Sequence, residues 1–157
     1  MSRHARLLKA AARTTPVRWV MSKVLTPLDM KLRGTRFAPS TMGLDLPLCF
    51  VTTTGAKSGE SRTVPLLFVS LEHGVIAVVA SNFGSNHHPG WAYNLEAHPR
   101  ATVEIDDERT VVVATRADDD ETQSLWPLLD DVWPGYETYR SITQRDIKIF
   151  LLTPATD

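Results

Sequence analysis

The sequence predicts a mainly β fold: a small antiparallel barrel with helices packed on its outside. Three observations carry this. From Leu46 onward the chain breaks into six short β-rich runs. Two of them, Ala101–Ile105 and Thr110–Thr115, flank Asp106-Asp107-Glu108-Arg109, which reads as a hairpin turn. Few helical stretches lie between the runs, so the strands have little to pack on except each other. A barrel satisfies such strands and leaves no bare sheet edge.

Taken in order, residues 3–33 read as helical. Leu7, Leu8, Ala11 and Ala12 fall at roughly helical spacing, and Thr15-Pro16 resets the chain. Val17, Val20, Met21, Val24 and Leu25 form a second apolar face, with Trp19 nearby and Pro27 interrupting it. Residues 34–45 hold Gly34, Pro39 and Gly43 and read as a linker. We therefore expect a basic helical segment with its linker over 1–45 and the barrel over 46–157. The barrel strands are Leu46–Thr54, Thr63–Leu71, Gly74–Ser81, Ala101–Ile105, Thr110–Thr115 and Ile147–Leu152. A short helix is predicted over Pro89–Ala97. A second covers Asp118–Asp131, with acids in its first turn to complement the helix dipole and a break at Pro127.

The 157 residues fit one domain with a core of its own. Cys49 is the sole cysteine, which excludes an internal disulfide framework and a cysteine-rich zinc site and suits a reducing cytoplasm. Residues 1–12 are basic, but no apolar stretch with a small-residue cleavage site follows, so no signal peptide is expected. The longest uncharged stretch, His73 to Leu95, is broken by Gly, Asn, His and Pro and does not read as a membrane span. Formal charge is −1, yet residues 1–36 carry nine Lys/Arg against the single acid Asp29. This basic segment on an acidic body points to an anionic surface partner, and a peripheral membrane contact through residues 1–33 is one expectation. Packing of the same apolar face onto the barrel is the other.

Three motifs can carry chemistry. The first is Thr52-Thr53-Thr54-Gly55-Ala56-Lys57-Ser58-Gly59-Glu60-Ser61-Arg62. Its glycines permit a tight turn, and Lys57, Arg62, Ser58 and exposed amides can cradle a phosphate or carboxylate. It lacks the Walker pattern, and a plain hairpin with solvated charges is the alternative. The second runs from Ala80 through His87-His88-Pro89-Gly90-Trp91 to Asn94-Leu95. Here a strand ends in a polar loop before a helix N-terminus, and Trp91 and Asn94 can share one helix face. Trp91 equally suits a core anchor. The third is Trp126-Pro127 followed by Trp133-Pro134-Gly135-Tyr136-Glu137-Thr138-Tyr139. Trp133, Tyr136 and Tyr139 recur every three residues and make one aromatic ridge, either a stacking platform or a core stripe. Adjacent His87 and His88 have no ligand spacing to a Cys or carboxylate, so no metal is expected. The sequence has no GxSxG elbow and no GxGxxG fingerprint, and Cys49 reads as packing.

Together these blocks resemble the deazaflavin-dependent nitroreductase family, whose members use the 8-hydroxy-5-deazaflavin coenzyme F420. The resemblance runs from about Leu46 to Pro154. It rests on TTTGAKSG with Arg62 and Pro65-Leu66, then Val79–Ser81, then Pro89-Gly90-Trp91 with Asn94-Leu95, then the Trp126-to-Tyr139 block. It implies a split β-barrel shared with flavin reductases and pyridoxamine-phosphate oxidases. It implies that Ala56, Lys57 and Ser58, with Arg62, Thr63, Val64, Pro65, Leu66 and Leu67, hold the cofactor's phosphate and oligoglutamate tail. Val79, Ala80, Ser81 and Asn82, with Gly90, Trp91, Ala92, Tyr93 and Asn94, line the deazaflavin. Tyr136 sits beside the ring as a catalytic candidate, with Trp133 and Tyr139 around the acceptor.

Relatives often carry Arg at the place of Ala56 and Lys at that of Asn82, and the best-known nitroreductase has a Tyr at the place of Leu67. Two missing cations weaken an anion site by about 1–3 kcal/mol. The implied activity is hydride transfer to a planar small-molecule acceptor such as a quinone, an enone or a nitroaromatic, in a cytoplasmic or peripherally membrane-bound protein without a nucleic-acid partner. A homodimer fits as well. The alternatives are an FMN-dependent reductase on the same barrel, or a non-catalytic deazaflavin-, haem- or lipid-binding protein.

Overall fold

The computed structural model describes residues 46–156. The expected helices and linker over 1–45, and the membrane contact assigned to 1–33, lie outside the described residues.

The barrel is closed, with six strands in the order β1-β2-β3-β6-β5-β4 and every neighbour antiparallel. The strands are β1 Leu48–Thr54, β2 Ser61–Ser70, β3 Ile76–Val79, β4 Arg100–Ile105, β5 Glu108–Arg116 and β6 Ile149–Pro154. Helix α1, Gly90–Ala97, follows β3. Helices α2, Asp119–Val132, and α3, Gly135–Ile142, lie between β5 and β6. The six expected strands are all present, with ends shifted by at most two residues, as is normal where pairing and not composition sets the boundary.

Alternation along the strands sorts side chains into two cores. Cys49, Val51, Phe68, Ile76, Val78, Val103, Val112, Phe150 and Leu152 fill the barrel, and Trp91, Ala92 and Leu95 of α1 pack into the same core. The opposite faces of β3 and β6 hold Ala77, Val79 and Ile149, which pack with Leu125, Leu129, Trp133, Tyr136 and Tyr139 from α2 and α3. Strand β3 is therefore buried on both faces, which is why Ile76–Val79 is an unbroken apolar run. Burial pushes the Cys49 thiol up to about 12, so it stays protonated and inert.

Local chemistry explains the ends. Asp106 and Asp107 have φ of 48° and 68°, the left-handed pair of a two-residue hairpin turn, with Ile105 opposite Glu108. Glu108 and Arg109, expected in that turn, instead begin β5. Asp118 caps α2: its carboxylate accepts from Glu121 N at 2.8 Å, and the Glu121 side chain accepts from Asp118 N at 2.9 Å. The break expected at Pro127 is absent, and α2 runs through it. Gln123, whose carbonyl loses the Pro127 partner, lies on the exposed face, where water can replace it. Arg140 of α3 donates to both Asp130 oxygens at 2.9 and 2.7 Å and stacks 4.0 Å over Trp126, locking α3 to α2.

Candidate functional site

The β1–β2 hairpin is a built loop. Gly55 N donates to Glu60 O at 2.8 Å and Gly59 N to Gly55 O at 2.8 Å. Gly59 sits at φ +69°, which favours glycine. At Gly55 a Cβ would meet Ser58 Oγ at 2.5 Å and Glu60 O at 3.2 Å, so a larger residue would have to displace the Ser58 hydroxyl. The loop thereby turns Lys57 and Ser58 outward, both exposed. Arg62 donates to Glu60 at 2.6 Å across an exposed pair. Lys57 has no ion-pair partner among the described residues.

Asn94 ties this loop to α1. Its Oδ1 accepts from Ala56 N at 2.9 Å and its Nδ2 donates to Thr53 Oγ1 at 3.0 Å. Thr53 is 2% exposed, and its hydroxyl donates in turn to Arg62 O at 3.4 Å. A partly buried polar chain thus joins residues about forty apart in sequence and fixes the hairpin against the helix.

The loop after β3 forms the other rim. Asn82, Phe83 and Gly84 have φ of 44°, 54° and 74°. Each non-glycine residue so placed costs about 1–2 kcal/mol, and such strain persists only where surroundings enforce it. Asn82 Nδ2 donates to His87 O at 2.9 Å. Arg145, just before β6, donates to the carbonyls of Ala80, Ser81 and Ser85 at 3.0, 2.7 and 2.8 Å and meets His88 Nδ1 at 3.0 Å.

Between the two rims and α1 lies an open groove of about 1140 Å³. Ala56, Lys57, Ser58, Arg62 and Val64 line one side; Asn82, Gly90, Trp91, Tyr93 and Asn94 line the other. A Cβ on Gly90 would meet nothing within 4 Å, so the start of α1 faces open space. Trp91 serves two purposes: it anchors the barrel core edge-on to Phe150 at 5.7 Å and borders the groove.

The other sequence-singled residues stand behind this surface. Thr63 bonds Thr52 through hydroxyls 2.8 Å apart. Leu66, Ala80 and Ala92 belong to the barrel core, and Leu67 and Val79 to the outer core. Pro65 pairs with Phe50 in the β1–β2 ladder, and Ser81 offers its carbonyl to Arg145. Trp133, Tyr136 and Tyr139 are not brought to the groove. They are 3, 6 and 2% exposed in the outer core. Trp133 Nε1 donates to the Tyr139 hydroxyl at 3.4 Å, and Tyr136 lies edge-on to Tyr139 and Trp126. Desolvation, with Tyr139, Cys49 and Asp130 adding, pushes the Tyr136 phenol well above its usual range. The physical reason for the separation is periodicity: Tyr136 and Tyr139, three apart on amphipathic α3, face the sheet it covers, and Trp133, just ahead of that helix, packs into the same core.

Sequence reasoning missed Gly55, His88, Pro89, Glu96 and Ala97 as lining residues, and Arg145 behind them. Glu96 pairs with Lys148 of the segment leading into β6. His88 stood in the second motif, in the polar loop before Pro89-Gly90-Trp91, but was singled out only to reject a metal site and not as a lining residue.

The barrel and its cation-bearing groove match the split-barrel, F420-dependent reductases. The sequence profile of the F420H(2)-dependent quinone reductase family matches residues 30–154, and the chain belongs to that family. It is similar to the F420H(2)-dependent quinone reductase Rv1261c of Mycobacterium tuberculosis, 31% identical over 110 residues that span 68% of this chain and 73% of the relative. A solved structure of the F420-H2 dependent reductase FDR-A is 36% identical over 68% of this chain and 93% of that one, with a TM-score of 0.62. A chain solved as a domain-swapped dimer is 33% identical, covers 88% of this chain and 99% of its own length, and has a TM-score of 0.64.

Proposed function

We propose that the groove holds reduced F420 and that the chain directs its hydride to a quinone. The observation that carries this reading is the Asn94 link, which joins the cationic hairpin and the Trp91-bearing helix around one open space. The donor set fits an anionic, ring-bearing ligand: one cation without an ion-pair partner among the described residues, one exchangeable cation, a hydroxyl and loop amides at one rim, and an indole and a bare glycine at another.

When bound, the deazaflavin supplies the hydride chemistry, and the chain supplies position. Lys57, Ser58 and the loop amides meet the phosphate and carboxylates of the tail. Arg62 joins them by exchanging Glu60, since an exposed pair is worth about 0–1 kcal/mol. Gly90, Trp91, Tyr93 and Asn82 border the ring and its linker. The residues behind the groove, Thr63 and Pro65 to Leu67 with Val79, Ala80 and Ala92, keep its wall rigid. Tyr136 stays a protonated phenol, able to donate a hydrogen bond but not to act as a base. Its burial favours a packing role for the whole Trp133–Tyr139 ridge.

Quinone-dependent oxidation of F420H2 by the purified chain tests the reading, with reduced FMN assayed beside it. Turnover with F420H2 and a soluble naphthoquinone is the expected result. Turnover with FMN alone would replace the cofactor, and binding without turnover on any acceptor would make the protein a carrier.

Peripheral membrane attachment belongs to the same reading, because quinones partition into bilayers. Residues 1–33 carry eight basic side chains, each worth about 1 kcal/mol at most near an anionic leaflet. The full chain should pellet with anionic vesicles at low salt, and a chain beginning at Gly34 should not. Equal behaviour of the two folded proteins would end the idea. A homodimer is the matching expectation for assembly, drawn from the related domain-swapped chain, and sedimentation equilibrium reads it directly.

A further inference from the structure

Arg145 has an unusual set of partners for a half-buried cation. Its Nε donates to Ser85 O at 2.8 Å, its Nη2 to Ala80 O and Ser81 O at 3.0 and 2.7 Å, and its Nη1 to Asp146 O at 3.4 Å and to His88 Nδ1 at 3.0 Å. None of these is a carboxylate. The Asp146 side chain is taken by Arg116 at 2.8 Å. Every nitrogen of the guanidinium is committed to one short loop, the same loop that carries the left-handed Asn82 and Phe83. A planar fork with five N–H donors can do this, and a lysine ammonium cannot.

The contact with His88 has a chemical consequence. A guanidinium only donates, so His88 Nδ1 must offer its lone pair. The imidazole is then neutral, and its proton is on Nε2. Among the described residues Nε2 has no hydrogen-bond partner, and His88 borders the groove. The ring plane is held edge-on to Tyr93, 5.8 Å away at 82°. We propose that Arg145 is a positioning residue of the groove: by gripping the 80–88 loop and His88 Nδ1 together, it presents His88 Nε2–H as a neutral donor to an acceptor oxygen of the bound deazaflavin. This deepens the reading of the groove given above and rests on it.

The charges around His88 agree. Desolvation first, then Arg145, Lys148 and Arg116, disfavour the imidazolium, and Glu96 alone opposes them while itself tied to Lys148. Tyr93, on α1, faces the ring edge-on. Acid therefore works against the arrangement: a proton on Nδ1 would set N–H against N–H and cation against cation.

The test begins on the ligand-free chain labelled with nitrogen-15. Long-range proton–nitrogen correlation of the histidine side chains, assigned with His88→Asn, reads the tautomer. The expected spectrum at pH 7 has a protonated Nε2 and a bare Nδ1 on His88. In Arg145→Lys the tautomers mix and the ring titrates at higher pH. An Nδ1–H tautomer or a charged ring in the wild type would overturn the proposal without touching the cofactor reading. The second arm is F420 titration by fluorescence. His88→Asn keeps an acceptor for Arg145 and loses the far donor. It should bind F420 several-fold more weakly with an unchanged melting temperature, and wild-type affinity in that variant would overturn the contact. A wild type that does not bind F420 at all would remove the groove reading and the contact with it, while the tautomer still decides what Arg145 does.

Discussion

The helix-covered side of the barrel and the groove rim use similar residues in opposite ways. On the covered side, Trp133, Tyr136 and Tyr139 sit almost wholly out of solvent, with Tyr136 edge-on to Tyr139 and Trp133 Nε1 donating to the Tyr139 hydroxyl. At the rim, Trp91 divides its surface between core and groove, Asn82 stands at positive φ, and Lys57 is exposed, with no ion-pair partner among the described residues. One region maximises burial. The other keeps strain and loose charge that folding alone would remove, and it is tied down from behind by Asn94 and Arg145. An aromatic motif can thus look like a binding platform and pack in a core, while a plain polar loop lines the open groove.

The largest effect should separate the two regions cleanly. Trp133→Ala empties part of the outer core and should destabilise the fold by about 3–5 kcal/mol in urea denaturation, while the folded fraction keeps its F420 affinity. Lost affinity in the still-folded fraction would move the ridge into the site.

Asn94→Ala attacks the link instead. It removes two hydrogen bonds, leaves Thr53 buried with one partner fewer, and should cost about 1–3 kcal/mol of stability. Because the hairpin is freed, F420 affinity should fall as well. Unchanged affinity in a destabilised variant would mean that the loop does not need α1 to bind.

Tyr136→Phe should change turnover less than about two-fold, since a buried hydroxyl outside the groove has no transition-state charge to stabilise. A large fall in kcat with unaltered F420 affinity would restore Tyr136 as an acceptor-side donor. The smallest effect concerns acid. The folded-state pKa of His88 is lowered, so the unfolded chain binds more protons just below the ordinary imidazole value of about 6.5. The stability this group contributes is complete above that value and is lost as pH falls through the depressed one. The melting temperature of His88→Asn should therefore fall less steeply than the wild type's over that window, and parallel curves would assign the slope to other groups.

The barrel was legible because each strand is a short β-rich run bounded by turn residues, and two inward-outward patterns cannot both be loops. Boundaries drifted where pairing decides, as at Ile147, which is buried but precedes β6. Pro127 misled because helix propensity says nothing about which carbonyl can turn to water. The groove was half legible. Lys57, Arg62, Trp91 and Asn94 stood out as chemistry in context, but the Ala56–Asn94 bond spans 38 residues and has no local signature. Arg145 was invisible for the same reason: its carbonyl partners in the loop lie 60 to 65 residues upstream, and backbone acceptors leave no mark on a sequence.

The central claim is that the hairpin cations grip the anionic part of the deazaflavin. Fluorescence titration of F420 against the wild type, Lys57→Ala, Arg62→Ala and the double variant tests it most directly, at low and at high salt. Each single variant should bind about 1–3 kcal/mol more weakly, with the double variant weaker still. High salt should weaken the wild type most. Equal affinity across all four proteins, insensitive to salt, would contradict the account and take the cofactor's anionic tail out of this loop.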